Sequence, residues 1–269
     1  MARILVTGGT GYIGSHTVVE LMQQGYDVTI VDNLSNSSVD VLDGISAIVG
    51  RRPEFANIDC NDYVSMEAVF KQYPDIVGVI HFAASKAVGE SVEKPLMYYR
   101  NNLGSLITLL EVMRRYHVYN IVFSSSRTVY GQPDKDHLPV DETAPIQKAL
   151  SPYGNTKQIN EDIIYDEAHA DSSLHATILR YFNPIGAHPS ALIGELPNGV
   201  PNNLLPFVTQ TAAGLRAELK VFGDDYNTPD GSCIRDYINI VDLAKAHVIA
   251  MDRMLQGKSA EAIEYFNLG

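Results

Sequence analysis

Residues 3–14 read RILVTGGTGYIG, and this stretch decides the fold prediction. A short apolar run over residues 4–7 is typical of a buried strand, and an apolar helical pattern over residues 13–24 follows it. Between them, Gly8, Gly11 and Gly14 form a G-x-x-G-x-x-G turn. Without Cβ atoms the backbone can turn tightly and approach a diphosphate, while the helix amino terminus directs unpaired N–H groups at its charge. A glycine triad alone is a weak signal, but its setting between a strand and a helix predicts a dinucleotide-binding turn.

The alternation of strand-length apolar runs with helical patterns continues along the chain. Further strands are predicted over residues 28–32, 55–58, 76–82, 120–124 and 176–181. Further helices are predicted over residues 39–49, 63–72, 96–115 and 153–168. Such alternation indicates βαβ units and a parallel sheet. We therefore expect an α/β fold with a doubly wound, Rossmann-like sheet.

The sequence changes in character after residue 183, where prolines and glycines interrupt every long periodic element. Helices return at residues 204–216 and 241–255, with short strands predicted near residues 219–222, 237–238 and 264–268. We therefore expect a dinucleotide-binding domain over residues 1–182. A smaller lobe over residues 183–269 is expected to be interleaved with it and to lie over the carboxyl edge of the sheet.

The composition excludes several classes of protein. A formal net charge of -12 in 269 residues repels nucleic acid and anionic membrane surfaces, so neither is expected as a partner. No apolar run is long enough to span a membrane and the start carries no secretory signal, which makes the protein cytoplasmic by expectation. Cys60 and Cys233 lie far apart without metal-ligand spacing. We expect two reduced structural thiols and no metal site.

An acidic residue follows the second predicted strand at the position where a dinucleotide site needs one. Asp32 lies 18 residues past Gly14, close to the spacing of about 20 expected for the acid that binds the adenosine ribose hydroxyls. A carboxylate there repels a 2'-phosphate, and no arginine follows until Arg51, so NAD is favoured over NADP. Taken alone, Asp32 is more often a turn cap, but the glycine turn before it makes the ribose role the better interpretation.

A candidate catalytic group lies on the helix predicted over residues 153–168. Tyr153 and Lys157 are four residues apart and so share one face of that helix, and Ser126 follows the strand over residues 120–124 at the carboxyl edge of the sheet. The free pKa of tyrosine, near 10, makes it a poor base, but a neighbouring ammonium and a positive nicotinamide ring both favour the phenolate. A tyrosine and a lysine at this spacing usually have no function. Here the preceding serines and the dinucleotide-binding turn favour a catalytic role.

With these residues in place, the chain resembles the extended short-chain dehydrogenase/reductase family, and within it most closely the UDP-glucose 4-epimerases. The resemblance covers nearly the whole chain, in family order, through the stretches VTGGTGYIGSH, VDNLSNS, HFAASKAVGESV, YYRNNLGS, FSSSRTVYG, SPYGNTK, LRYFNPIGAHP, PNNLLPF and VFGDDYNTPDGSCIRDYI. The stretches over residues 179–189 and 221–238 are the most specific, because they belong to the sugar-nucleotide lobe and not to the common dinucleotide core.

The resemblance implies an NAD-dependent isomerase of galactose metabolism that interconverts UDP-glucose and UDP-galactose through transient oxidation at carbon 4 of the hexose. It makes Tyr153 the proton acceptor, Lys157 its electrostatic partner and Ser126 a hydrogen-bond partner of the sugar hydroxyl. NAD contacts then fall on Gly8, Gly11, Tyr12, Ile13, Gly14, Asp32, Asn33, Ser35, Asn36, Ser37, Asp59, Cys60, Phe82, Ala83, Lys86, Asn101, Tyr153, Lys157 and Phe182. UDP-sugar contacts fall on Ser126, Asn183, Asn203, Leu204, Phe222 and Arg235.

The resemblance also implies a homodimer through the helices over residues 96–115 and 153–168. Leu103, Ile107 and Leu110 are expected either at that interface or against the chain's own sheet. The family continues for several tens of residues beyond position 269, so we expect the sugar lobe to be incomplete in this sequence.

Arg127 is the main departure, because the family has a small residue directly after the catalytic serine. Consecutive side chains at a strand end point to opposite sides, so we expect Arg127 to face away from NAD and to pair with an acid. If it faced inward, its charge would disfavour oxidised NAD.

Other functions stay open at this point. One alternative is another NAD-dependent sugar-nucleotide epimerase, with a different substrate. A sugar-nucleotide 4,6-dehydratase shares the fold, NAD, tyrosine and lysine, but it needs an added acid and base where this chain has Arg127 and Thr128. A non-catalytic NAD-binding protein is the third, since a fold does not prove activity.

Overall fold

A seven-stranded parallel sheet lies at the centre of the protein. The structure is a computed structural model and describes residues 2–201 and 203–269. The strands are β1 (Arg3–Thr7), β2 (Asp27–Asp32), β3 (Glu54–Asn57), β4 (Ile76–His81), β5 (Asn120–Ser126), β6 (His175–Tyr181), β7 (Asn183–Ile185), β8 (Tyr237–Asn239) and β9 (Ile263–Leu268). The sheet has the order β3-β2-β1-β4-β5-β6-β9. Strand order therefore reverses between β1 and β4, which is where open α/β sheets form a ligand crevice.

Helices cover both faces of this sheet. They are α1 (Tyr12–Gln23), α2 (Val41–Val49), α3 (Tyr63–Gln72), α4 (Val88–Glu93), α5 (Pro95–Arg115), α6 (Pro152–Ala170), α7 (Leu204–Ala212) and α8 (Ile240–Leu255). Alternate residues of β1 feed two separate cores: Leu5 packs with residues of α3, α5 and α6, whereas Ile4 and Val6 pack with residues of α1, α2 and α8. The predicted doubly wound α/β fold is confirmed.

The carboxyl-terminal part of the chain contributes to the main layers. Strand β9 pairs with β6, with Leu268 level with Tyr181, and α8 packs on α1. The short strands β7 and β8 form a separate two-stranded sheet. The chain therefore leaves the sheet after β6 and returns to it, and the division into residues 1–182 and 183–269 remains a prediction.

Several predicted elements differ from the structure. Helix α7 ends at Ala212 rather than at residue 216, and Gly214 follows with a φ of +75°. The strand predicted over residues 219–222 is wrong, because residues 213–236 contain no helix or strand. Val221 and Phe222 are 82% and 96% exposed and have no neighbouring strand to complete a ladder. The sequence reading also missed β7, whose central residue is a proline, and the short helix α4.

The cysteines and the helices bear on two further expectations. Cys60 is a free, buried cysteine, as expected of a structural thiol. Cys233 is free but exposed, so the expectation of a structural role is wrong for Cys233. Within the described ranges, no helix combines the length and apolarity that crossing a membrane requires. In the same residues, no cluster of His, Cys, Asp or Glu is arranged to hold a metal ion.

A buried ion pair joins the sheet to α6. Arg180 on β6 and Glu161 on α6 are 5% and 6% exposed. The Arg180 guanidinium donates to Glu161 through Nε at 3.1 Å and through Nη2 at 2.6 Å, and its Nη1 donates to the Tyr130 hydroxyl at 3.0 Å. Ser125 also donates to Glu161. Each charged group therefore has a hydrogen-bonded partner that offsets its removal from water.

Removing the negative partner of this pair leaves a buried guanidinium uncompensated. We expect Glu161→Gln to lower the free energy of unfolding by about 3–5 kcal/mol, measured by urea denaturation. The control is Asp43→Asn, which removes an exposed pair with Arg52 and is expected to change stability little. Equal effects of the two substitutions would contradict a structural role for the Arg180 pair.

Candidate active site

The glycine turn forms a cradle at the end of β1. Gly8 has a φ of +69°, and a Cβ placed on it would lie 2.8 Å from the Ala83 backbone nitrogen. A Cβ on Gly14 would lie 2.2 Å from the Gly8 carbonyl oxygen. The amino-terminal cap of α1 is Gly11, which has no side chain to bond the first N–H groups of the helix. Those groups are available to an anion, and a diphosphate fits this cradle.

The same turn meets the loop that follows β4. The Phe82 amide donates to the Thr7 carbonyl oxygen at 3.0 Å, which brings Phe82 and Ala83 against the turn at the crevice between β1 and β4. The Tyr12 hydroxyl donates to the Gly186 carbonyl oxygen at 2.6 Å and so connects the turn to the segment after β7. The structure thus brings these predicted NAD residues together.

Asp32 at the end of β2 is directed at the glycine turn. Its Oδ2 accepts a hydrogen bond from the Thr10 amide at 3.2 Å, and its Oδ1 accepts from the Leu34 amide at 2.9 Å and the Ser37 hydroxyl at 3.3 Å. The Asp32 carboxylate therefore caps the turn that follows β2, which is the alternative role considered for it. It also borders the crevice between β1 and β4. Its contact with a ribose remains a prediction.

A chain of amide side chains continues the predicted NAD site. Asp59 accepts from the Asn61 amide at 2.8 Å and from Asn33 Nδ2 at 3.4 Å, and Asn61 Nδ2 donates to Asn101 Oδ1 at 3.2 Å. Asn61, which was not predicted from the sequence, thus connects the predicted residues Asp59 and Asn101. Beside them, burial raises the pKa of the Cys60 thiol to about 12, so that thiol stays protonated.

The three predicted catalytic residues meet at the carboxyl end of β5. Ser126 is the last residue of β5, and its side chain acts on the Tyr153 hydroxyl by lowering the pKa of that group. Helix α6 begins at Pro152 with Ser151 as its cap, whose Oγ accepts from the Gly154 amide at 3.1 Å. This start places Tyr153 in the first turn and Lys157 one turn further. Lys157 Nζ donates to the Ser124 carbonyl oxygen at 2.6 Å and lies 5.9 Å from the centre of the Tyr153 ring.

Burial controls the protonation of this group. It raises the pKa of Tyr153 to about 12, against a hydrogen bond with Ser126 that lowers it. It lowers the pKa of Lys157 to about 8. In the protein alone, burial therefore keeps the Tyr153 phenol protonated at neutral pH. The expectation that Lys157 and a bound nicotinamide ring together favour the phenolate remains a prediction. A positive charge that arrives with a ligand would lower the pKa of Tyr153 toward neutrality.

The predicted substrate residues are only partly assembled. Asn183 Nδ2 donates to the Asp236 carbonyl oxygen at 2.7 Å, which places Arg235 close to the end of β6. Leu204 and Phe222 are 54% and 96% exposed, so the structure does not bring the Phe222 ring against the other site residues. The remaining predicted residues lie at loop or element ends: Ile13 in the first turn of α1, Ser35 and Asn36 after β2, and Phe182 between β6 and β7.

Glu195 is a site residue that the sequence reading missed. Its side chain is 9% exposed, lies 3.6 Å from Lys86 Nζ and accepts a hydrogen bond from Asn203. Lys86 belongs to the predicted NAD contacts and Asn203 to the predicted UDP-sugar contacts. Glu195 lies in a proline-rich and glycine-rich stretch without periodicity, so its contacts with Lys86 and Asn203 could not be predicted from the sequence.

Comparisons with known proteins identify the family. The sequence model of the NAD dependent epimerase/dehydratase family matches residues 4–269. The chain belongs to this family. It is 49% identical over 275 residues to the UDP-glucose 4-epimerase of Mus musculus, covering all of this chain and 78% of that protein. It is 54% identical over 271 residues to the bifunctional protein GAL10 of Pachysolen tannophilus, of which this chain spans 39%.

The structural comparison agrees with the family assignment. The crystal structure of UDP-glucose 4-epimerase from Bifidobacterium longum in complex with NAD+ and UDP matches with a TM-score of 0.94 and 48% identity. The match covers 100% of this chain and 78% of that one. The predicted family and its dependence on NAD are confirmed. The parts that individual residues play remain predictions.

Asp32 gives a direct test of the NAD site. We expect the unaltered protein to bind NAD at least about tenfold more tightly than NADP, because the carboxylate accepts hydroxyl hydrogen bonds and repels a 2'-phosphate. Asp32→Ala should narrow that ratio, measured by calorimetric titration with both cofactors, and Asp43→Ala, an exposed acid on α2, should leave it unchanged. Equal affinity of the unaltered protein for NAD and NADP would refute the assignment.

Proposed function

We propose that this chain interconverts UDP-glucose and UDP-galactose by transient oxidation at carbon 4 of the hexose, with NAD held throughout the cycle. The observation that carries the proposal is the arrangement of Tyr153, Ser126 and Lys157 at the carboxyl edge of the sheet, beside a turn that fits a diphosphate. Relatives about half identical to this chain are UDP-glucose 4-epimerases. One of the similar structures holds NAD+ and UDP together.

NAD, when bound, supplies the acceptor and donor of hydride. The chain's own residues would hold it through the amides of the glycine turn, the Asp32 carboxylate and the loop at Phe82 and Ala83. Its positive nicotinamide ring also brings the further cation that Tyr153 needs.

Tyr153 then accepts the proton of the hydroxyl at carbon 4 as hydride leaves that carbon, and a 4-keto sugar results. Lys157, fixed by the Ser124 carbonyl oxygen, stabilises the phenolate. Ser126 holds the hydroxyl and then the ketone oxygen by hydrogen bonding. After the sugar has turned, hydride returns to its other face and Tyr153 gives the proton back. No net oxidation occurs, so protons and electrons balance over the cycle.

A 4,6-dehydratase would need an additional acid and base directly after the catalytic serine, and this chain has neither there. The residues after Ser126 are Arg127 and Thr128, and neither is an acid or a base at neutral pH. A non-catalytic NAD-binding protein would have no need of a buried lysine held beside a tyrosine and a serine, because burying that ammonium costs stability.

We also propose that α5 and α6 form a homodimer interface. Leu96, Leu103 and Ile107 form an apolar stripe along one face of α5. Leu103 is half-buried, whereas Ile107 is 44% exposed and Leu96 is 80% exposed. Leu110 instead packs in the chain's own core at 6% exposure, which is the second of the two places expected for it. An apolar stripe on a helix at the protein surface is well suited to cover its counterpart in a second copy.

The reaction is tested by incubating the protein with UDP-galactose and measuring UDP-glucose by chromatography. We expect Tyr153→Phe to reduce turnover by about 10²-fold or more, because the proton acceptor is lost, while NAD binding is largely kept. The matched control is Tyr165→Phe, an exposed tyrosine on the same helix, which should retain turnover. Absence of UDP-glucose from the unaltered protein would refute the proposed function, and normal turnover of the Tyr153 variant would refute the mechanism.

The homodimer is tested by sedimentation velocity at micromolar concentration. We expect the unaltered protein to sediment as a dimer and Ile107→Glu as a monomer, because the charge would be buried without a partner. The control, Ile249→Glu, places the same charge on an exposed position of α8 and should leave the dimer intact. A monomeric unaltered protein would contradict this interface.

A further inference from the structure

Arg127 stands directly next to the reacting group. It follows Ser126, the last residue of β5 and the predicted partner of the sugar hydroxyl, and it opens a short 3-10 turn over Arg127–Tyr130. The Ser126 side chain caps this turn by accepting from the Thr128 amide at 3.3 Å. The backbone of Arg127 is therefore fixed by the same serine that faces the sugar hydroxyl.

The Arg127 side chain is half-buried, and it has no acidic partner in the part of the chain that the structure describes. No carboxylate lies within ion-pair distance, and its guanidinium takes part in no hydrogen bond there. The expectation that Arg127 pairs with an acid is therefore wrong. Burial and the positive charge of Arg235 both lower the pKa of Arg127. A second guanidinium is thus its electrostatic neighbour.

The sheet register explains why the two arginines approach each other. Ser126 at the end of β5 is level with Tyr181 on β6. Two residues further, Asn183 of β7 is level with Tyr237 of β8, and Arg235 comes two residues before Tyr237. The strand end that carries Ser126 and the segment that carries Arg235 therefore meet at one edge of the sheet, and Arg127 follows directly after that strand end.

A half-buried guanidinium beside another is unfavourable in the protein alone. Partial burial removes water that would otherwise solvate the charge, and the like charge adds repulsion. An anion placed between the two groups offsets both costs, and guanidinium groups bind phosphate and carboxylate oxygens through paired hydrogen bonds. A solvent-exposed arginine would need no such partner.

We propose that the Arg127 guanidinium is a substrate-binding group that binds an anionic oxygen of the nucleotide sugar at the edge of the sheet where the ends of β5 and β6 meet the Arg235 segment. This inference rests on the proposed function, because it takes the ligand to be a UDP-hexose. Such a ligand offers two sources of the anion, the diphosphate and, in a hexuronic acid, the sugar carboxylate. The second source would extend the substrate class to acidic hexoses.

The test measures dissociation constants by calorimetry with the NAD-loaded protein, using UDP-galactose and UDP-galacturonate as ligands. The variants are Arg127→Ala and Arg127→Lys. The control is Arg52→Ala, which removes an exposed positive charge at the end of α2 far from the strand ends of the site. We expect Arg127→Ala to raise the Kd of at least one ligand by about tenfold or more, with a smaller effect at high salt, and Arg127→Lys to recover part of the loss.

The pattern over the two ligands identifies the anion. Equal loss for both assigns Arg127 to the diphosphate, and loss confined to UDP-galacturonate assigns it to the sugar carboxylate. Values within twofold of the unaltered protein for both ligands, with an unchanged circular dichroism spectrum, would overturn the proposal. Should Arg127→Ala fail to fold, Arg127→Gln, which also removes the charge, decides by the same criterion. A protein that binds both ligands but does not epimerise UDP-galactose would contradict only the proposed function.

Discussion

The close approach of helix α1 to the turn after β1 is the constraint on which the rest of the site depends. Any side chain at Gly14 would collide with the Gly8 carbonyl oxygen, since a Cβ would lie 2.2 Å from it. Two other strand ends hold the turn in that position: the Thr10 amide is bonded to Asp32 at the end of β2, and Ala83 after β4 packs against Gly8. One backbone contact therefore fixes how three neighbouring strands present their ends to a ligand.

Desolvation dominates the chemistry of the residues around this crevice. It moves the pKa of Tyr153 upward and that of Lys157 downward, so that each group favours its neutral form more than it would in water. At neutral pH the phenol is protonated and the lysine is largely charged. A charge that arrives with a ligand will consequently shift the pKa of both groups strongly, because electrostatic interactions are strong where water is excluded.

The central fold and the catalytic group could be predicted because their signals are local. The glycine turn, the acid after β2 and the Tyr153–Lys157 spacing each lie within one strand and the helix beside it. Glu195, Asn61 and the Arg127–Arg235 approach could not be predicted, because each depends on segments far apart in the chain. The strand predicted over residues 219–222 failed for the related reason that strands form only beside a partner, and β7 was missed because its proline-containing sequence gives no period.

The buried pair of Arg180 and Glu161 also limits how this chain can change over evolutionary time. Loss of Arg180 or Glu161 alone leaves the other charge buried without a partner. Replacement of both by apolar residues of similar volume need not cost stability. The two positions therefore interact epistatically. A lineage can leave this arrangement only by passing through a destabilised intermediate or by altering both positions together, so they are expected to be inherited as a unit.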